Sequence, residues 1–202
     1  MVARQDGRRQ RAERNQQAVV EALLDLYRAG DLRPGAQRIA ARAGVSERTV
    51  FRLFADLDAL ATLALQRHWA RVGHLFAPPD ASGDRARRIA ALVTHRLTLY
   101  AEIAPVARAA QLHAPSSPAI RHGVARRGEL LRDHLRRQFA PELAAQPPAA
   151  RHELLCALDA ATSIETLEQL HGVQGLSPSE AGQVLTRTLR ALLADADRRD
   201  ER

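Results

Sequence analysis

The residues of this sequence with the most specific chemistry are Arg48 and Arg52, which lie four positions apart and share one face if they form a helix. A guanidinium can pair with guanine through two parallel hydrogen bonds at the edge of the base. The apolar residues around this pair recur at helical spacing and are predicted to face a core: Ile39, Ala40, Val45, Val50 and Phe54. The pattern therefore predicts a short helix that presents its arginines to the major groove of DNA.

Two turn signals precede this helix. Gly44 accepts the left-handed conformation that ends a helix, and the hydroxyl of Ser46 can cap the next helix by accepting a hydrogen bond from the amide of Thr49. Residues 39–54 are therefore predicted to be helix, tight turn, helix. The side chains expected to be exposed on the second helix are Glu47, Arg48, Thr49, part of Phe51, and Arg52. The alternative interpretation is an ordinary helical hairpin with a solvated arginine face.

The rest of the chain is also predicted to be helical, which gives an all-α fold with about nine helices. Ala and Leu are abundant, and aromatic residues make up only 3% of the chain. Pro105 is predicted to interrupt a helix, and Ser177 with Glu180 to form a capping box at the start of the last one. The predicted helices outside residues 39–54 cover 15–29, 57–76, 84–102, a short piece to 113, 119–139, 149–171 and 178–194.

Composition excludes a membrane protein and a disordered chain. Of the 202 residues, 46% are hydrophobic and 26% are charged, and no apolar run reaches the roughly 18 residues that a bilayer span needs. The basic segment at residues 1–17 does not resemble a secretion signal, so we expect a cytoplasmic protein. The single cysteine, Cys156, excludes an intramolecular disulfide and a multi-cysteine zinc site. Neither a metal nor a cofactor is predicted.

The net charge of +7 is unevenly distributed, and every basic residue is arginine. The net charge is +5 over residues 1–54, −2 over 55–84, +8 over 85–137 and −4 over 138–202. The first basic zone favours a polyanionic partner. The second is compatible with an anionic ligand, but adjacent arginines cannot both point inward. Solvated positions are therefore predicted for Arg87, Arg88, Arg126, Arg127, Arg136 and Arg137.

Several polar or aromatic residues of the second half lie at otherwise inward positions. A ligand cavity between helices is mostly apolar with a few polar groups that orient the ligand. The candidates for such groups are His95, Tyr100, Gln111, His113, His134, Cys156, Thr162 and Glu165. The alternative for each is a hydrogen-bonded core group or a surface residue.

Catalytic motifs are absent from the sequence. It contains no glycine-rich phosphate loop and no nucleophile elbow. Glu168 and His171 have the spacing found in helical di-iron sites, but the second copy that such a site needs is missing. We therefore predict that the protein is not an enzyme.

The segment from Ile39 to Leu60 resembles the signature of the TetR family of bacterial transcriptional regulators. The residues that carry the resemblance are Ile39, Ala40, Ala43, Gly44, Val45, Ser46, Thr49, Val50, Phe51, Phe54 and Leu60. It covers about residues 15–65 and implies nine or ten helices and a homodimer. By position it implies contacts to double-stranded DNA from Gln37, Arg38, Ser46, Glu47, Arg48, Thr49, Phe51 and Arg52.

The resemblance also implies a division of function along the chain. Residues 1–56 are expected to form the DNA-binding domain, with a basic arm at 1–14, and residues 57–79 a connector helix. Residues 80–202 are expected to bind a small-molecule effector and to dimerise. The breaks at Pro78-Pro79 and Ser82-Gly83 support the second boundary.

Two residues depart from the family pattern. The family usually has Tyr where this chain has Phe51 and Lys where it has Leu57, and both usual residues contact phosphate. Other arginines are therefore hypothesised to replace the lost attraction: Arg8, Arg9, Arg11, Arg14, Arg38 and Arg52.

The last two predicted helices carry wide apolar stripes. Two such helices from each of two chains can form a four-helix bundle, which predicts a homodimer that reads a palindromic operator. The alternative is that these helices only close the core of the monomer. The resemblance to the TetR family further implies a repressor that an effector releases from DNA. Two rival interpretations are a helical enzyme or carrier with an incidental basic arm, and a protein that binds RNA or anionic membranes without specificity.

Overall fold

The computed structural model describes the backbone of residues 2–200 and the side chains of residues 9–196. Every regular element in that part of the chain is helical, which confirms the predicted all-α fold with about nine helices. The helices are α1 (Val2–Arg28), α2 (Ala36–Ala43), α3 (Glu47–Leu53), α4 (Leu57–Val72), α5 (Arg85–His113), α6 (Pro118–Gln138), α7 (Ala140–Ala144), α8 (Pro148–Ala161), α9 (Ile164–Glu168) and α10 (Pro178–Asp200). A 3-10 turn (Gly73–Phe76) continues α4, and a π turn (Gln169–Val173) continues α9. Among the described residues, no helix combines the length and the apolar character needed to cross a membrane.

The turn between α2 and α3 forms as predicted. Gly44 ends α2 with φ 67° and ψ 30°, in the left-handed region that glycine adopts without strain. Ser46 then caps α3, because its Oγ accepts a hydrogen bond from the amide of Thr49 at 3.2 Å. Asp56 caps α4 in the same way, accepting from the amide of Ala59 at 2.7 Å.

The first helix is longer than predicted. α1 begins at Val2 rather than at Asn15, so most of the predicted arm is helical. Arg9 pairs with Glu13 one turn later at 3.2 Å. Because extending an existing helix is far easier than nucleating a new one, polar residues continue the helix that the later apolar stripe stabilises.

α5 runs without a break through Pro105, where the sequence predicted an interruption. A proline inside a helix removes one backbone hydrogen bond and crowds the preceding turn. The apolar residues on either side are buried, namely Ile103, Ala104, Val106 and Ala107. Their burial offsets the lost hydrogen bond, and the local sequence around a proline does not reveal such burial.

The helix predicted over residues 149–171 is broken after α8. Thr162 ends α8 by donating its hydroxyl to the carbonyl of Leu158 at 2.8 Å. Ser163 starts α9 by accepting a hydrogen bond from the amide of Thr166 at 3.1 Å. Adjacent hydroxyl side chains here replace part of the helical backbone bonding. The prediction of one helix was wrong because the apolar period continues across this break.

α10 begins at the predicted capping box. The carboxylate of Glu180 accepts hydrogen bonds from the amide of Ser177 at 2.8 Å and from its hydroxyl at 2.6 Å. In return the hydroxyl oxygen of Ser177 accepts from the amide of Glu180 at 3.3 Å. This reciprocal arrangement, with Pro178 at the first helical position, confirms the predicted start of the helix.

The chain forms two compact units that are interleaved in sequence. The first combines Met1–Gly73 with Pro105–Ala125, and the second combines His74–Ala104 with Arg126–Arg202. α5 and α6 therefore contribute residues to both units. The three functional parts expected from the sequence stay a prediction.

Each unit has its own apolar core. The first core buries Val19, Val20, Leu24, Tyr27, Ile39, Val50, Leu60, Ala109 and Ala110. The second core buries Ile89, Leu92, Leu135, Phe139, Leu158, Leu167, Leu185, Leu189 and Leu193. The inner faces of α8 and α10 thus pack within a single chain, and their outer faces are left for other contacts.

Candidate functional site

The orientation of α3 is fixed by its buried side. Val50 is fully buried and Phe54 nearly so, and both belong to the first core together with Ile39. Because a helix that buries one side must expose the other, the remaining residues of α3 face outward. The predicted inward residues of the helix-turn-helix occupy the positions that the sequence indicated, with Val45 half-buried against this core.

The exposed side of α3 carries the predicted DNA-contacting residues. Phe51 exposes 51% of its surface, which is unusual for an apolar ring. Thr49 is half-buried, and its hydroxyl lies 2.9 Å from that of Ser46, so it belongs to the cap of the helix. The other seven predicted residues are exposed, namely Gln37, Arg38, Ser46, Glu47, Arg48, Phe51 and Arg52.

The arginines of the helix-turn-helix differ in their ionic partners. Arg38 pairs with Asp31 at 3.1 Å, and Arg42 on α2 lies 3.6 Å from Asp25. Arg48 and Arg52 on α3 form no ion pair with any described residue. Their guanidinium groups therefore extend from α3 with their donors available to an outside acceptor.

The arginines near the start of α1 are partly engaged with their own helix. Arg9 pairs with Glu13, and Arg14 donates to the carbonyl of Gln10 at 3.4 Å. Arg11 is exposed, while the side chain of Arg8 lies outside the described residues. The hypothesis that these arginines replace missing phosphate contacts stays a prediction.

Two of the candidate ligand residues, His95 and His134, lie together in the second unit. Their rings meet edge to face with 5.1 Å between centroids. The Nε2 atom of His95 lies 3.0 Å from the carbonyl of Leu75, and that of His134 lies 3.1 Å from the carbonyl of Phe76. Both ring nitrogens therefore donate to the 3-10 turn that follows α4.

Tyr100 forms a separate group in the same unit. Its hydroxyl donates to the carboxylate of Glu168 at 2.7 Å, and its ring stacks on that of His171 with 5.1 Å between centroids. Thr162 is buried, but its hydroxyl is used to end α8. Neither hydroxyl needs a ligand to satisfy its hydrogen bonding.

The remaining four candidates are dispersed. Gln111, Cys156 and Glu165 are exposed, so the prediction that they point inward was wrong. His113 lies in the first unit, where its Nε2 atom is 3.3 Å from the carbonyl of Leu32. Among the described residues, no three His, Cys, Asp or Glu side chains are grouped so as to hold a metal ion.

The second unit contains buried arginines that the sequence did not predict. Arg88 and Arg127 were expected in solvated positions, but they are 7% and 5% exposed, and Arg96 is 2% exposed. Arg88 and Arg96 lie four positions before and after Leu92, so the buried side of α5 carries both. This periodicity was visible in the sequence, but the charge of arginine argued against burial.

Arg88 forms a fully paired buried site. One guanidinium nitrogen donates to the carbonyl of Gln138 at 2.6 Å and to the carboxylate of Glu142 at 2.8 Å. The other donates to the same carboxylate at 2.6 Å. The arginine hydrogen bonds hold the pKa of Glu142 below its usual range against the opposing effect of burial. This geometry stabilises both charges in the interior.

Solved structures of other proteins share this fold. No protein-family model matches the sequence, and no curated protein matches it. The solved structures that match include a transcriptional regulator from Rhodococcus sp. Rha1 and a TetR-family transcriptional regulator from Streptomyces coelicolor. The first has 19% identity and a TM-score of 0.68, covering 89% of this chain and 96% of that one. The second has 21% identity and a TM-score of 0.71, covering 94% and 84%. The chain therefore has the fold of these regulators, as its resemblance to the TetR signature implied.

Proposed function

We propose that this protein is a sequence-specific DNA-binding transcriptional regulator of the TetR type that reads its operator with α3. The observation that carries the proposal is the two-sided character of this helix. Val50 is locked in the core, while Arg48 and Arg52 point outward and pair with no described carboxylate. Phe51 adds an exposed ring that can contact the methyl group of thymine.

The proposal includes a homodimer formed through the outer faces of α8 and α10. Val184 on α10 is 39% exposed and Leu192 is half-buried, so apolar surface remains outside the core. A shallow groove of about 100 Å³ lies between the two helices, with Glu153, Ala157 and Leu192 in its lining. Two copies of this surface related by a two-fold axis would form a four-helix bundle.

The proposal further assigns effector binding to the second unit and a repressing role to the protein. An effector can release DNA only if it binds the DNA-competent and DNA-incompetent states with unequal affinity. The support is the placement of two polar rings in this unit: His134 is buried, and His95 is half-buried beside it.

The test is the selection of random DNA duplexes by the full-length protein, followed by sequencing of the bound fraction. We expect a palindromic motif, because a two-fold dimer reads two equivalent half-sites. Uniform salt-sensitive binding to all duplexes would contradict the proposal, as would the absence of binding.

Substitutions in α3 locate the contact. Arg48→Ala and Arg52→Ala should each weaken operator binding by about 5- to 150-fold, the range for the loss of one bidentate base contact worth about 1–3 kcal/mol. Arg126→Ala is the matched control, since Arg126 is an exposed arginine of α6, outside α3 and the proposed dimer surface, and forms no ion pair with any described residue. If all three substitutions weakened binding equally, operator affinity would depend only on the net charge of the protein and not on contacts from α3.

A further inference from the structure

The buried arginines of the second unit differ in one respect. Arg88 is matched by the carboxylate of Glu142, which it meets at 2.6 and 2.8 Å. Arg96 lies two helical turns further along the same side of α5 and is more deeply buried, with 2% of its surface exposed. Its Nη2 atom donates to the carbonyl of Leu131 at 2.7 Å. Its Nε and Nη1 atoms have no acceptor among the described protein groups, although both are inaccessible from the surface.

The charge of Arg96 has no dedicated counter-ion. Burial lowers the pKa of Arg96 to about 10, which still leaves the guanidinium protonated at neutral pH. Asp159 is the carboxylate whose charge acts on it, but Asp159 is already engaged by Arg132 at 2.9 and 3.1 Å. A buried charge with unfilled hydrogen bonds is costly, and native proteins rarely leave one without a partner.

The neighbouring histidines do not compensate the positive charge of Arg96. Burial and the charge of Arg96 lower the pKa of His95 and that of His134, so both rings are neutral at neutral pH. Each ring uses Nε2 on a carbonyl, and each Nδ1 is buried without a partner among the described groups. Arg96, His95 and His134 thus form a cluster with several unsatisfied polar atoms and no anion.

One member of the cluster, His95, lies at a surface groove. This open groove of about 600 Å³ is also lined by Arg87, Thr94 and Leu99, whereas Arg96 and His134 do not line it. The groove gives a small molecule access to the outer side of the His95 ring.

We propose that Arg96 anchors a binding site for a small molecule that carries a carboxylate, with His95 and His134 beside it. A carboxylate matches the planar guanidinium geometrically and accepts two of its hydrogen bonds, as Glu142 does for Arg88. The same negative charge favours protonation of the histidines, whose Nδ1 atoms then become donors. Only the further statement that this molecule is the effector rests on the proposed function.

The experiment measures thermal unfolding of the full-length protein without DNA. The probes are sodium acetate and sodium propionate, and the controls are acetamide and propionamide, which have similar shapes without the charge. At about ten times the dissociation constant, a carboxylate should raise the unfolding temperature by about 3 °C, while the amides should not. Equal responses to acid and amide, or no response to either carboxylate, would overturn the proposal.

Three arginine substitutions make the test specific. Arg96→Met should abolish the carboxylate response without lowering the unfolding temperature of the free protein, because it removes an uncompensated buried charge. Arg88→Met should lower that temperature, because it removes two hydrogen bonds from the buried carboxylate of Glu142 and leaves it with Arg85 as its one arginine partner among the described residues. Arg126→Met, at an exposed position of α6 away from the groove, should keep the response. If Arg96→Met destabilises the protein as Arg88→Met does, or retains the carboxylate response, then Arg96 is structural and the proposal fails.

The outcome is independent of DNA binding. A protein that responds to acetate through Arg96 but selects no duplex would refute the proposed function and keep the carboxylate site. A protein that selects a palindrome but ignores both carboxylates would refute the site alone.

Discussion

Two buried histidines give the protein a dependence on pH that can be traced to single side chains. His68 is 3% exposed, and burial, followed by the charges of Arg28 and Arg71, lowers its pKa from 6.5 to about 4. Burial and the charge of Arg96 lower the pKa of His134 to about 4 as well. Between these pH values the unfolded chain binds protons at both positions that the folded chain does not bind. Stability is therefore greatest above about pH 6.5 and is lost as the pH falls toward 4.

We expect the free energy of unfolding to fall by on the order of 1–2 kcal/mol per histidine between about pH 7 and pH 5. Denaturant titrations at a series of pH values would measure this slope. His68→Gln should flatten the slope, whereas His122→Gln, at an exposed position of α6, should leave it unchanged. A slope that is the same in both variants would show that His68 is not responsible.

At the scale of single residues, the sequence predicted which residues α3 exposes better than it predicted the interior of the second unit. Arg48 and Arg52 follow from helical periodicity, because the burial of Val50 fixes which way they point. The burial of Arg96 does not follow in the same way, since the groups that act on it, the carbonyl of Leu131 on α6 and the carboxylate of Asp159 on α8, are distant in sequence. Side-chain type argues for the surface, and only tertiary packing overrides it.

At the scale of elements, the turn before α3 is the segment that sets the orientation of the helix proposed to read DNA. Ser46→Ala removes the hydroxyl that accepts from the amide of Thr49 and should lower the free energy of unfolding by about 1 kcal/mol. Chemical denaturation measures the loss. Ser179→Ala is the matched control, because Ser179 is exposed in the first turn of α10 while the capping role there belongs to Ser177. Equal losses in both variants would contradict a capping role for Ser46.

Helix ends with strong local signals were predictable, and helix continuity was not. Gly44, Ser46 and Ser177 each act through atoms within a few residues, so their effects can be inferred from sequence. Continuation of α5 through Pro105 depends on burial of the flanking side chains. The break after α8 depends on the hydrogen bond that the Thr162 hydroxyl donates to the carbonyl of Leu158. Where two local backbone conformations have similar energies, tertiary packing determines which of them forms.

At the scale of the whole molecule, the proposed dimer predicts the effect of a charge on the outer face of α10. Val184→Glu should raise the dissociation constant of the dimer at least about tenfold, because it places two carboxylates in an apolar interface. Sedimentation equilibrium measures this change.

The chain offers a matched control for this substitution. Val173→Glu introduces the same change at a 72% exposed position on the π turn, outside α8 and α10, and should leave dimerisation unaffected. A monomeric wild-type protein would contradict the interface, and so would a dimer that is insensitive to Val184→Glu.

The interleaving of the two units restricts how this protein can be divided. The core around Tyr27 and Leu60 is completed by Val106 and Ile120, which follow a stretch of the chain that belongs to the other unit. A fragment that stops at residue 79 keeps all of α1 to α4 but exposes the apolar surface that those later residues cover. Gene fusions and domain transplants that treat the amino-terminal helices as a detachable module would therefore expose this apolar surface to solvent. The helix-turn-helix has to be moved together with the parts of α5 and α6 that cover it.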